Sequence, residues 1–365
     1  MRQCMSEKNT YALYRNVARL FVVGFQGFTA EREVRALIDD GIGGLILFGR
    51  NVESAPQVAA LIKSLKAYAR RPLLLAVDQE GGPIARLRCP PFTALPAMRK
   101  LGAKENSSLA YRTGRLLAFE LRAVGFDCDY APVLDVDTNA QNPIIGSRAF
   151  HQEAAVVARL GVALAQGLED GGVASCGKHF PGHGDTDRDS HLELPRLAHG
   201  LQRLHAVEFQ PFAAYARAGL ASVMTAHILL AKLDARVPAT MSRKLVSGIL
   251  KEQLHFSGVV VSDDLEMRAI SKHFSVPQAA VEGLKAGVDQ FLVCHQLEVQ
   301  RLAIEGVVKA IECGEVNAAR FNDATARVDA LMRSFVRGPE EDGLASLNTP
   351  EHKRQALALS ECVIC

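Results

Sequence analysis

Short apolar runs alternate with helix-period segments along most of this chain, and that alternation restricts its possible folds more than any other feature. Eight runs of strand length stand at 21–25, 43–48, 73–77, 127–133, 173–179, 222–227, 258–262 and 290–294. The stretches between them behave as amphipathic helices. Ser54 is placed to cap and Pro56 to open a helix whose Val58, Leu61, Ile62 and Leu65 share one face. Thr29 precedes Val34, Leu37 and Ile38, and Gly41 stands where a left-handed stop is wanted. Longer helices are expected over 108–124, 153–169, 201–218, 243–255, 277–286 and 297–313.

Eight strand–helix repeats in about 300 residues match the size of an α/β single (β/α)8 TIM-type barrel, in which parallel strands close on themselves and are buried on both faces. The rival, a doubly wound open sheet, usually carries a glycine-rich phosphate turn after its first strand. Here that turn reads Gly24-Phe25-Gln26-Gly27, without the fingerprint. The catalytic barrel is expected to occupy 1–335, including one more helix over 317–335. The remaining 336–365 should form a polar linker and a short C-terminal helical extension that packs outside the barrel or frays.

Composition excludes several function classes. Of 365 residues, 42 are Lys or Arg and 40 are Asp or Glu, so the net charge of +2 offers no footprint for nucleic acid. No window approaches the roughly 20 apolar residues that span a bilayer. The first twenty residues hold Lys8, Arg15 and Arg19 and no apolar secretory core, so a cytoplasmic location is expected. Cys128, Cys176, Cys294 and Cys313 stand singly in apolar surroundings and read as small buried hydrophobes. The terminal Cys362-Val363-Ile364-Cys365 matches both a C-x-x-C and a rough prenylation box, but without upstream basic residues or a second ligand pair it reads as an incidental tail.

In a barrel the reacting groups come from the C-terminal ends of the strands. The third strand is followed by Asp78-Gln79-Glu80-Gly81-Gly82 and Arg86, and the fourth by Asp135, Asp137 and the segment Asn142 to Arg148. The fifth ends in Lys178-His179, the sixth at His227, the seventh at Asp263-Asp264. Each alone could be a cap or a solvated charge; together they converge on one rim. The loop after the fifth strand is the densest segment. Its Pro181, Gly182 and Gly184 oppose a helix and would permit hinge motion. In an extended stretch the two-residue spacing of Asp189 and His191 would put both side chains on one side, orienting an imidazole suited to acid/base work near neutral pH. Otherwise His191 is a loop histidine without a task. Asp263 closes an apolar strand and reads as nucleophile, base or metal ligand, but Asp264 follows it directly and successive residues point in opposite directions, so only one of the two can face the substrate and the other anchors the next loop. A metal site is disfavoured. Pro181 and Gly182 stand between His179 and His183, and no His-x-His follows the first strand.

The segment Lys178 to His191 resembles the K-H-F-P-G-H-G-x-x-x-x-D-S-H signature of bacterial β-N-acetylhexosaminidases of glycoside hydrolase family 3. The resemblance extends through Asp78 to Gly82, Asn142 to Phe150 and Ser262 to Met267, covering about 20–335. It implies a retaining hydrolase that removes terminal, non-reducing β-linked N-acetylglucosamine through a covalent glycosyl-enzyme. In that case Asp263 is the nucleophile and His191 the acid/base, supported by Asp189. Asp78, Arg86, Arg148, Lys178 and His179 hold the sugar hydroxyls. It further implies cell-wall recycling, with peptidoglycan turnover fragments as substrate, no cofactor, no membrane or nucleic-acid partner, and a monomer or weak homodimer. The family usually has Arg where this chain has Pro83, which bears on the stiffness of that loop. A β-glucosidase or phosphorylase on the same fold, and a sugar-binding protein without turnover, are the alternatives.

Overall fold

The computed structural model describes residues 7–187, 189–190, 193–338 and 342–364. Ten strands occur in it: β1 Phe21–Val23, β2 Gly44–Leu47, β3 Leu74–Val77, β4 Cys128–Asp129, β5 Ala174–Phe180, β6 Arg196–Leu197, β7 Ser222–Thr225, β8 Leu229–Leu230, β9 Val259–Asp264 and β10 Gln290–Val293. Eight of these close a parallel barrel in the order β1-β10-β9-β7-β5-β4-β3-β2. They coincide with the eight apolar runs, and β1 to β5, β7 and β10 are buried at every position, as strands between a packed interior and a helical coat must be. β4 is shorter than its apolar run because Pro132 has no N–H to give to the ladder.

The local signals act as their chemistry requires. Ser54 Oγ accepts the Gln57 N–H at 3.3 Å at the start of helix Ala55–Ala69, and Gly41, at φ 101°, ends helix Arg32–Asp40. Two expectations need correction. The helix anticipated over 201–218 is broken into Leu201–Ala206 and Phe209–Arg217, because the Pro211 ring would collide with the carbonyl four residues back, at Val207. Cys313 is exposed: it follows the last turn of helix Leu297–Glu312, where the chain turns back over solvent.

The barrel is fastened at the face opposite its C-terminal mouth. Asp127 and Asp289, each immediately preceding or close to the start of a strand, are fully buried and paired with Lys66 and Arg122, and with Lys251 and Arg320, respectively. After helix Ala318–Phe335, two helices, Gly343–Ser346 and Pro350–Ile364, pack on the barrel's outer helix Ser107–Val124. His352 Nε2 reaches the buried Glu120 carboxylate at 2.8 Å, so this extension is docked through a polar contact. The side chains of Cys362 and Cys365 lie outside the described residues. Among the described residues no helix is long and apolar enough to cross a membrane.

Candidate active site

One wall of the mouth is built from β3 to β5. Glu80 leaves β3 into the interior, 2% exposed, and accepts Lys178 Nζ at 2.7 Å, Arg148 Nη2 at 2.8 Å and Arg148 Nε at 2.9 Å. Burial by itself would raise this carboxyl; the Lys178 ammonium and the forked Arg148 guanidinium overcome that and hold it well below the usual range. Lys178 also meets Asp78 Oδ1 at 2.8 Å, and the two carboxylates together outweigh desolvation and keep the ammonium charged. Lys178 and His179 are neighbours yet both face the mouth, since the β5 register against β7 shifts between Gly177 and Phe180.

His179 is oriented from behind. Its Nδ1 lies 2.7 Å from Asp135 Oδ2, so Nδ1–H donates to the carboxylate and Nε2 is left toward Arg148, 3.5 Å away. Asp135 Oδ1 accepts the backbone N–H groups of His179 at 3.2 Å and His183 at 2.7 Å. Burial opposes the Asp135 charge, but the His179 imidazole and these donors prevail and lower its pKa.

Arg86 is delivered by a tight loop. Gly81 and Gly82 have φ of 96° and 55°, and a Cβ on Gly82 would stand 2.6 Å from Ala97 Cα, so only glycine fits there. Gly81 and Ile84 exchange backbone hydrogen bonds at 3.1 and 3.2 Å across Pro83, and Gln79 Oε1 accepts the N–H groups of Arg86 and Leu87 at 2.7 and 3.0 Å. Arg86 Nη2 then sits 3.4 Å from Asp78 Oδ2.

The opposite wall is the end of β9. Asp264 is spent on the backbone: Oδ1 accepts from Glu266 and Cys294 N–H, each at 3.1 Å, and Oδ2 meets His295 Nε2 at 3.1 Å. That hydrogen bond raises the His295 pKa. Asp263, half-buried, lines a cavity of about 360 Å³ together with Asp78, Arg86, Phe48, Met224 and Arg268. His227 belongs to the scaffold. Its ring is fully buried, Nε2–H donates to the Asp264 carbonyl at 3.0 Å, Nδ1 meets Thr240 Oγ1 at 2.9 Å, and burial lowers its pKa.

The loop after β5 begins as packed interior. Pro181 to Gly184 are buried, and a Cβ on Gly184 would lie 1.8 Å from the Val136 carbonyl oxygen, so these positions serve close packing where a hinge was expected. His183, 2% exposed, has Nδ1 at 2.7 Å from Thr186 Oγ1 and Nε2 at 3.1 Å from Ser190 Oγ; burial pushes its pKa down to about 4. The Ser190 carbonyl accepts the Ala269 N–H at 3.2 Å, which docks the loop onto the segment following β9. The Asp189 carbonyl accepts the Glu193 N–H at 3.0 Å. Arg188, His191 and Leu192 lie outside the described residues, and with His191 the pairing expected between Asp189 and His191. Beyond, β6 pairs with β8 and returns the chain to the barrel.

The wall thus brings Asp78, Arg86, Arg148, Lys178 and His179 together, and the cavity joins Asp78 and Arg86 to Asp263. Glu80 and Asp135 were visible as strand-end carboxylates but not as the groups that orient the others. Phe48, Met224, Arg268 and His295 had no local signal; only the closing of the barrel brings their segments to this rim. Among the described residues no group of three or more His, Cys, Asp or Glu is placed to hold a metal ion.

Residues 13–331 match the model of the glycosyl hydrolase family 3 N-terminal domain. A β-hexosaminidase of Bordetella avium is 44% identical over 335 residues, covering 90% of this chain and 92% of that protein. The structure of a family 3 β-N-acetylglucosaminidase from Paenibacillus sp. superposes with a TM-score of 0.90 at 39% identity, covering 96% of this chain and 68% of that one. NagZ from Neisseria gonorrhoeae in complex with N-trifluoroacetyl-D-glucosamine superposes with a TM-score of 0.78 at 32% identity, covering 94% and 98%. A closed barrel whose mouth carries this set of acids and cations, matched over most of its length, belongs to glycoside hydrolase family 3, among its β-hexosaminidases.

Proposed function

We propose that this chain is a retaining β-N-acetylhexosaminidase that removes terminal N-acetylglucosamine from peptidoglycan turnover fragments, N-acetylglucosamine joined to 1,6-anhydro-N-acetylmuramic acid with or without peptide. The reaction belongs to cell-wall recycling in the cytoplasm, performed by a monomer or weak homodimer. The observation that carries this reading is the cavity in which Asp263 faces Asp78 and Arg86 while the loop bearing Asp189 and His191 is tied, at Ser190, to the segment just beyond Asp263.

In this reading Asp78, Arg86, Lys178, Arg148 and His179 hold the hydroxyls of the non-reducing sugar. An Asp263 carboxylate oxygen attacks the anomeric carbon, the glycosidic C–O bond breaks, and its electron pair stays on the departing oxygen, which takes a proton from the His191 imidazolium. Water then attacks the glycosyl-enzyme, giving its proton to the neutral imidazole and restoring Asp263. An imidazole with an unperturbed pKa near about 6.5 gives and takes protons at neutral pH without the burial a carboxylic acid needs. Asp189 favours the imidazolium form. Its partner Asp263 has to be ionised at the same time.

Trapping with a fluorinated N-acetylglucosamine analogue, followed by peptide mass spectrometry, tests the assignment. Label on Asp263 is the expected result; label on Asp264, or none with turnover intact, refutes it. Comparing 4-nitrophenyl N-acetylglucosaminide with the glucoside, with and without phosphate, separates hydrolysis of the acetamido sugar from glucosidase or phosphorylase action.

A further inference from the structure

The segment after β9 carries a cation that the sugar-holding set does not use. Arg268 is exposed and lines the same cavity as Asp263. The other charged groups there are engaged: Arg86 with Asp78, His295 with Asp264, and the Glu266 carboxylate with the backbone N–H groups of His295 at 2.5 Å and Gln296 at 3.0 Å. Among the described residues no carboxylate pairs with Arg268.

Its side of the mouth is defined by chemistry. A group that protonates the departing oxygen must stand beside that oxygen, so the place where the acid/base loop docks marks the leaving-group side. That loop docks where the Ala269 N–H bonds the Ser190 carbonyl, one residue along from Arg268. The sugar-holding Arg148, Lys178 and His179 lie on the β3–β5 wall. A guanidinium at the leaving-group rim of a pocket otherwise rich in carboxylates provides a planar, permanently charged fork for an anion. It would disfavour a cationic leaving group and favour one bearing a carboxylate.

We infer that Arg268 is a specificity-determining residue that recognises a carboxylate on the leaving group, so that acidic aglycones are preferred to neutral ones. This rests on the roles assigned above to Asp263 and the loop, and it deepens that reading by assigning one residue, Arg268, to the charge of an anionic aglycone. The exposure of the side chain keeps the interaction partly solvated and sensitive to salt.

The test compares 4-carboxyphenyl with 4-carboxamidophenyl β-N-acetylglucosaminide, which share size and ring and differ in charge. The ratio of their kcat/KM values is measured for the natural enzyme and for Arg268→Gln, Arg268→Glu and Arg268→Lys at low and high salt. An exposed pair of this kind is worth a change of about 2- to 5-fold in that ratio. The ratio is expected to fall by that factor in Arg268→Gln, further in Arg268→Glu, and to be largely restored in Arg268→Lys, with the difference shrinking as salt rises. A ratio equal in natural enzyme, Arg268→Gln and Arg268→Glu overturns the inference. If the natural enzyme hydrolyses neither glycoside, it is the reading of the activity that fails, and the inference falls with it.

Discussion

The two walls of the mouth solve different problems. On the β3–β5 wall, Glu80, Lys178 and Asp135 are almost wholly removed from water, Arg148 is mostly so, and each charge faces a counter-charge or a hydrogen-bond donor. Ions in such a place are costly alone and stable only as a set, which makes the wall rigid. The β9 wall is wetter: Asp263 is half-buried, Arg268 is exposed, and the loop docks there through the backbone hydrogen bond from Ala269 to Ser190. With the roles proposed above, rigidity falls where the sugar would be oriented, and solvent access where a proton, a water and a leaving group would pass.

Substitutions should separate the walls by what they damage. Asp263→Ala is expected to cost the most, about 10⁵-fold or more in kcat, the order found when a nucleophile is removed, with unfolding by urea almost unchanged. His191→Ala should lower kcat/KM on natural disaccharides by about 10²–10⁴-fold and on activated aryl glycosides much less in the glycosylation step, read from a leaving-group series. A uniform loss across that series would assign the histidine another task.

On the other wall Glu80→Gln should act first on the fold. It strands the buried ends of Lys178 and Arg148, and about 3–5 kcal/mol of unfolding free energy should disappear in denaturant titrations. Ser190→Ala tests the seam between the walls: losing the His183–Ser190 contact should cost about 0.5–1.5 kcal/mol, seen as slower turnover of poor leaving groups.

Two buried groups give the pH dependence opposite signs. His183, lowered to about 4, stays neutral in the fold while the unfolded chain protonates from about 6.5 downward, so its contribution is lost as pH falls through that interval. Asp129 is raised to about 7, first by burial, with the Gln79 N–H at 2.9 Å only partly opposing this. Its contribution is present below the unfolded value near 3.8 and is lost as pH rises through about 7. Between pH 4 and 6.5 the two offset each other. Asp129→Asn removes one of them, so its stability relative to the natural protein should improve as pH rises across this range; an unchanged difference would refute the assignment.

Much of the fold was legible locally. Strand runs, the Ser54 cap and the Gly41 stop all follow from φ/ψ preference and hydrophobic period, which act over a few residues. The chemistry-bearing types at strand ends were legible for the same reason, since a barrel turns every strand end into mouth. The split of Asp263 from Asp264 was half legible: their alternation could be read, but only Cys294 and His295 arriving from β10 show which is the anchor. The break at Val207 stood in the sequence as Pro211, whose ring acts four residues upstream. Cys313 was misplaced because apolar neighbours in sequence do not guarantee neighbours in space.

The order and kind of the elements, and the residues delivered to the rim, are therefore written locally in the chain, because they obey periods of two and about 3.6 residues. Which charge meets which is set by the closing of the barrel. Lys178 meets Asp78 across 100 positions of chain, and Arg148 meets Glu80 across 68. The reason is physical: a buried charge selects its partner by distance and desolvation, which no local pattern encodes, and it is this selection that makes one wall rigid and leaves the other open to solvent.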